Sequence, residues 1–338
     1  MLTLDPAPAW LPGGQAQTVW PALFSRRHDP AEPIVYRRAR HTTPDGDFID
    51  IDWLDHGIGG AAVGEGAGAG LLVLFHGLEG SSRSHYALAF ADWARRNGWA
   101  YAVPHFRGCS GEMNLAPRAY HSGDHAEIGW MLDTVRQSHT HAHHGGGPVV
   151  AVGVSLGGNA LLRWAQESGA QAGRVVQAVA SVCSPIDLAA AGHAIGRGLN
   201  RHLYTPMFLR TMKPKAFAKL AQHPGLFDAD RLRQARDLYT FDNLFTAPLH
   251  GYRDTEDYWL RASAQPRLAE IRIPALVLNA RNDPFVPAES LPAAHEVGRH
   301  VTLWQPDHGG HVGFASGALP GDVRGLPRAV MGWLQAAC

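Results

Sequence analysis

The run Leu71–Phe75 is apolar at every position. A strand with one face in water alternates with period two, whereas a short continuous run fits a strand buried on both faces, as in a parallel sheet. Further strands are expected at Ala100–Pro104, Val149–Val154, Val175–Val182 and Ala275–Asn279, with a last one at Val301–Trp304. Helical spacing marks Tyr86–Arg96, His125–Gln137, Asn159–Ser168 and the closing segment Leu326–Ala336. Strand and helix in alternation predict the α/β class, with a mostly parallel twisted sheet and helices on both faces. Upstream, short strands are expected around Ile34–Arg38 and Phe48–Leu54. Ala9–Phe24, rich in Pro, Gly and Trp, reads as an irregular arm, and Gly57–Gly70 as a hairpin or loop.

The alternation breaks from Leu188 to Arg267, where no buried strand is evident and the pattern is helical. This stretch is expected to be a helical cap inserted into the core. The domains are then 1–187 for the first part of the core with its N-terminal arm, 188–267 for the cap, and 268–338 for the rest of the core. Leu203, Met207, Phe208, Leu209 and Phe217 are candidates to line a cap tunnel, with plain cap-to-core packing as the alternative.

Composition narrows the class. A chain of 338 residues, 45% hydrophobic and 18% charged, buries a large core and is not disordered. Lys plus Arg and Asp plus Glu number 30 each, so nothing global steers the protein to nucleic acid, though a local basic patch escapes that count. Three cysteines without paired spacing suggest a reducing compartment. The N-terminus lacks a secretory pattern, and no run approaches the ~20 apolar residues of a membrane span. The expected location is therefore the cytoplasm, with no stable membrane anchor. The His-rich Thr140–Gly147 reads as a surface loop rather than a metal site, because no Cys, Asp or Glu completes a ligand set beside it.

The candidate chemistry centres on Gly153-Val154-Ser155-Leu156-Gly157, which lies between an expected strand and an expected helix. In a chain with 38 glycines the pattern alone is weak, but that setting gives it meaning. A sharp strand-to-helix turn lifts the serine Oγ above the sheet, and side chains two residues away on either side would collide. A serine nucleophile needs an oriented base, and in such folds the order is Ser, then Asp or Glu, then His. Asp283 follows the strand at 275–279 and is favoured over Asp187, which follows the preceding strand. His311 is favoured over His308 in the loop after the last strand. The oxyanion donors are expected to be the backbone N–H groups of Leu156 and Leu78, with His76 shaping the Leu78 loop. This chemistry is self-contained, so no cofactor is implied, and the partner is a small-molecule acyl ester.

The motifs resemble the YheT-like branch of the α/β-hydrolases, which also contains eukaryotic membrane-associated lipid esterases. The matching strings are Trp10–Thr18 (WLPGGQAQT), His76–Gly80 (HGLEG), Phe106–Glu112 (FRGCSGE) and Tyr120–Asp124 (YHSGD). They continue through the Ser155 turn, Phe241-Asp242, Ala247–Gly251 (APLHG) and the Asp283 and His311 loops. The resemblance implies an α/β-hydrolase fold and a Ser155–Asp283–His311 triad. It also implies hydrolysis of short- to medium-chain acyl esters, with acyl transfer to an alcohol as the alternative. Where the family commonly has Asp-Asp-Pro, this chain has Asn282-Asp283-Pro284. The membrane anchor of the eukaryotic relatives is not carried over.

Overall fold

The computed structural model describes residues 2–54, 70–142 and 147–338. Its centre is one sheet of eight strands in the order β1-β2-β4-β3-β5-β6-β7-β8. The strands are β1 (Arg37–Thr42), β2 (Phe48–Leu54), β3 (Leu71–Phe75), β4 (Ala100–Pro104), β5 (Val149–Val154), β6 (Ala178–Val182), β7 (Ala275–Leu278) and β8 (Val301–Trp304). Pairing is parallel from β4 through β3 and β5 to β8, while β1–β2 and β2–β4 are antiparallel. Every residue of β3, β5 and β6 is buried, which is why their sequences are apolar throughout but for Ser181, whose hydroxyl donates to Ser184 Oγ.

Helices cover both faces. They are α1 (Gly13–Leu23), α2 (His85–Arg96), α3 (His125–Ala142) and α4 (Leu156–Ser168), then α5 (Leu188–Ile195), α6 (Gly198–Gln222), α7 (Ala229–Gln234) and α8 (Leu238–Phe241). The last three are α9 (Ala247–Leu249), α10 (Thr255–Ala262) and α11 (Gly325–Ala337). Odd and even positions of the strands feed two separate apolar layers. Val73, Phe75 and Ala151 pack on the side of α3 and α4. Leu72, Leu74 and Val152 pack on the side of α2 and α11.

Between β6 and β7 the chain forms only helices and turns, from α5 to a short 3₁₀ turn at Gln265–Glu270. The smaller apolar clusters around Tyr258 and Trp259, and around Leu209, Phe241 and Phe245, lie in this region. Asn159 of α4 ties it to the sheet. Its Nδ2 donates to the carbonyls of Ser122 and Ala262, and its Oδ1 accepts the Ala264 N–H.

Ala9–Phe24 is not irregular, since most of it is helix α1. Its two leading glycines, Thr18, Val19 and Pro21 are poor helix formers, so propensity hides it. Tertiary hydrogen bonds from Gln17 and Thr18 hold it instead, as described below. The loop expected at Gly57–Gly70 lies, except for Gly70, outside the described residues. Of the surface loop expected at Thr140–Gly147, residues 140–142 instead end helix α3, and residues 143–146 lie outside the described residues.

Candidate active site

Ser155 ends β5 and begins α4 with φ 53° and ψ −123°, a backbone geometry rare for a residue with a Cβ. The turn is locked sterically. A Cβ on Gly157 would lie 2.5 Å from the His76 carbonyl oxygen, and one on Gly153 would lie 2.5 Å from the Gly157 carbonyl oxygen. Both obstacles are backbone, so neither position has room for a side chain.

Ser155 Oγ is 3.0 Å from His311 Nε2, and His311 Nδ1 is 2.9 Å from Asp283 Oδ2. The carboxylate fixes the tautomer. Nδ1–H donates to Asp283, which leaves Nε2 to accept the Ser155 hydroxyl proton. The other carboxylate oxygen, Oδ1, accepts the N–H groups of Phe285 at 2.7 Å and Val286 at 3.3 Å. The Asp283 side chain is wholly buried, and the Phe285 ring lies 4.3 Å from the imidazole. The alternatives fall elsewhere. Asp187 caps α5 by accepting the Ala190 N–H, and His308 is exposed.

The backbone N–H groups of Leu78 and Leu156 have no hydrogen-bond partner among the described residues, and both residues line the same cavity as Ser155 and His311. Their neighbours are fixed. Gly77 N–H donates to Tyr86 Oη at 2.8 Å, and Glu79 N–H donates to Tyr120 Oη at 2.9 Å. Glu79 takes a φ of 57°, and its carboxylate accepts the Tyr120 hydroxyl and the Lys215 ammonium from α6. His76 is fully buried, donates from Nδ1 to the Gly77 carbonyl, and accepts the Phe106 N–H at Nε2. Burial pushes its pKa down to about 3, so it stays neutral and shapes the loop.

Sequence reasoning missed the buttress of the histidine loop. Gln17 Oε1 accepts the Gly309 N–H and the Asn282 amide, and Thr18 Oγ1 accepts the His311 N–H. Asn282 Oδ1 accepts the Gly310 N–H, so one amide bridges the Asp283 and His311 loops. An aspartate there has no proton to donate to Gln17, so the exchange from Asp-Asp-Pro swaps an acceptor for a donor. A Cβ on Gly313 would overlap the Gln17 carbonyl, which shows how closely α1 seats against this loop. The only signal for these roles was the Trp10–Thr18 string itself.

The cavity holds about 150 Å³ and is lined mainly by apolar side chains, among them Leu188, Ile195, Phe208, Met212, Phe241 and Phe285. Of the five tunnel candidates only Phe208 reaches it. Leu209 and Phe217 pack among the helices between β6 and β7, while Leu203 and Met207 face solvent. The cavity also carries Asp242, whose carboxylate accepts Thr246 Oγ1–H at 2.7 Å and Trp259 Nε1–H at 3.0 Å. Burial raises its pKa to about 6. Asp242 opens a π-helical turn, Asp242–Thr246, of the kind often found beside binding sites. His223 and Asp228 do not line this cavity. His223 Nε2 donates to the Leu115 carbonyl, and Asp228 caps α7.

Comparisons with known proteins give the family and the fold. Residues 70–318 match the family described as alpha/beta hydrolase fold. YheT of Escherichia coli, a proposed esterase, is 36% identical over 94% of this chain and 89% of its own. Phospholipase ABHD3 of Mus musculus is 30% identical over 90% of this chain and 72% of its own. Among solved structures, the Pyrococcus furiosus esterase Pf2001 shares the fold with a TM-score of 0.52 at 14% identity, covering 90% of each chain. The mouse alpha/beta hydrolase domain-containing protein 10 gives 0.51 at 15% identity, over 89% of this chain and all of that one.

Proposed function

The chain belongs to the α/β-hydrolase family, in its YheT-like branch, and from that membership we propose that this ester hydrolase cleaves carboxylic esters of short- to medium-chain acyl groups through an acyl-enzyme on Ser155. One observation carries the reading: an unbroken hydrogen-bonded chain from Ser155 through His311 to Asp283, facing an apolar cavity beside two unpartnered N–H groups. Ser155 Oγ attacks the ester carbonyl carbon while His311 Nε2 takes its proton. The oxyanion accepts the N–H groups of Leu78 and Leu156, each such donor contributing roughly 10²–10³ in rate. The carbonyl re-forms as the C–O bond to the leaving alkoxide breaks, and His311 returns the proton to that oxygen. Water, deprotonated by His311, attacks the acyl-enzyme, and the acid leaves as Ser155 recovers its proton. Asp283 holds the imidazole in register and stabilises its cation.

The apolar lining of the cavity supports an acyl chain as the bound group, since each buried methylene adds about 0.8 kcal/mol. The three free cysteines suit a reducing compartment and support a cytoplasmic placement. Among the described residues no helix is long and apolar enough to cross a membrane.

A fluorophosphonate probe tests the nucleophile. Wild type should carry one adduct, on Ser155, and S155A none; wild type without an adduct there refutes the acyl-enzyme. A p-nitrophenyl ester series from acetate to laurate, with S155A as background, then reads the chain-length preference.

A further inference from the structure

Among the described residues, those other than glycine with a positive φ are Glu79, Ser155, Cys183, Val312 and Phe314. Such a backbone is strained and persists only where its surroundings impose it. The loop at Leu78 and the turn at Ser155 account for the first two. The other three take no part in the chemistry, yet they gather in one place. The Val312 N–H donates to Cys183 Sγ at 3.3 Å, and the Phe314 N–H turns back to the Gly309 carbonyl at 2.9 Å.

Cys183 follows β6 and is fully buried. Its thiol makes two bonds, one on each side of His311. Sγ–H donates to the Gly310 carbonyl at 3.6 Å, and Sγ accepts the Val312 N–H. That carbonyl belongs to the peptide group entering His311, and that N–H to the one leaving it. Each bond is weak by itself. Together they fix both peptide groups that carry the imidazole. Burial, with the Asp283 carboxylate next in effect, pushes the thiol pKa up, so the sulfur keeps the proton that it donates.

Cys183 is tied to the other two members of the site as well. Its own N–H donates at 2.7 Å to the carbonyl of Leu278, which ends the strand leading to Asp283. The preceding carbonyl, of Val182, accepts the Ser155 N–H at 2.9 Å. The remaining holds on the histidine loop are single. Gln17, Asn282 and Thr18 accept the N–H groups of Gly309, Gly310 and His311, and His85 Nε2–H donates to the Val312 carbonyl at 3.0 Å. None of them grips the peptide groups on both sides of His311. An apolar side chain could fill the same space among Leu278, Ala280, Val312 and Phe314, but it would leave the buried Val312 N–H without an acceptor.

We propose that Cys183 is a positioning residue for the general base: its thiol fastens the peptide groups on both sides of His311 to the end of β6 and so keeps Nε2 over Ser155 Oγ while the proton passes between them. The inference rests on His311 as the base, the role proposed above. Placement matters steeply, since a shift of about 1 Å in a reacting group can cost roughly 10²-fold in rate.

Two variants separate positioning from packing. C183A loses the thiol and keeps the unfavourable φ, whereas C183G loses the thiol and relieves the φ. Assayed well below both melting transitions, each should lose at least roughly tenfold in kcat for p-nitrophenyl butyrate, with KM within about twofold of wild type. Proton NMR adds a readout that packing would not move. The His311 Nδ1–H, bonded to Asp283, should give a low-field resonance in wild type that shifts or broadens in both variants. H311A is the control and should be inactive. Activity retained by H311A removes the base, and the role of Cys183 falls with it. With H311A inactive, a kcat within about threefold of wild type in C183A and C183G overturns the positioning role and leaves the base standing. So does an unmoved low-field proton, or a KM that rises as far as kcat falls.

Discussion

The substitution D283N tests the site most sharply, because the structure dictates how the new amide must sit. Asp283 Oδ1 accepts two backbone N–H groups, from Phe285 and Val286. An amide nitrogen in that place would face two donors, so the asparagine oxygen takes it and the NH₂ turns toward His311 Nδ1. That nitrogen must then accept, which moves the ring proton to Nε2, 3.0 Å from Ser155 Oγ. The base now presents a proton where it must receive one. Forcing the wrong tautomer in a Ser-His-Asp site costs about 10⁴ in kcat, or roughly 5.5 kcal/mol at the transition state. Steady-state hydrolysis of p-nitrophenyl acetate reads the loss, and circular dichroism confirms the fold. The control is D187N. Asparagine caps a helix as well as aspartate does, so the Ala190 N–H keeps its acceptor and activity should stay within about twofold. D283N within tenfold of wild type, or D187N falling as far as D283N, refutes the assignment of Asp283.

Three further substitutions probe the surroundings. G157A drives a Cβ to 2.5 Å from the His76 oxygen and 2.6 Å from the Phe75 oxygen, so the turn must shift; activity should fall at least roughly 10²-fold and the protein melt at lower temperature, by kinetics and thermal denaturation. K215M removes the cap's hold on Glu79; kcat should drop about tenfold with a smaller change in KM, and K215R should recover most of it, whereas a purely structural lysine gives equal loss in both variants. D242N acts through pH. The native carboxyl titrates near 6 and the unfolded one near 3.8, so the folded state holds the extra proton between those values. Asp242 therefore costs no stability below pH 3.8, and the cost grows as pH rises to about 6, reaching at most about 3 kcal/mol. The Asn amide still accepts from Trp259 and can donate to Thr246. D242N should thus be the more stable protein at pH 8 by about 1–3 kcal/mol and near parity at pH 4, and urea denaturation showing the reverse order refutes the shift.

The sheet was legible because burial on both faces leaves no polar positions, as in Leu71–Phe75 and Val149–Val154. The loops after β5, β7 and β8 were legible because chain order and local glycines narrow the choice, and the structure brings Ser155, Asp283 and His311 together. Helix α1 was not, since its helicity depends on acceptors at Gln17 and Thr18 for donors nearly 300 positions away. The cap side chains failed for a related reason. Composition says that Leu203 and Phe208 are apolar, but only the rotation of α6 against the sheet decides which one meets the cavity.

Rotation of α6 also ties the cap to the chemistry. The donor at Leu78 sits between two anchored residues, Gly77 on Tyr86 of α2 and Glu79 on Tyr120 and Lys215. Glu79 holds an unfavourable positive φ, so its orientation depends on those partners rather than on local preference. Lys215 comes from the helix that turns Phe208 and Met212 into the cavity. An acyl chain that shifts α6 to make room therefore also pulls on Glu79, and with it on the Leu78 N–H. With Leu78 as the oxyanion donor proposed above, α6 would act on that donor through Lys215 and Glu79 as well as on the fit of the chain. That is why the kcat of K215M, rather than its KM, discriminates between a cap that only encloses substrate and one that helps align the reaction.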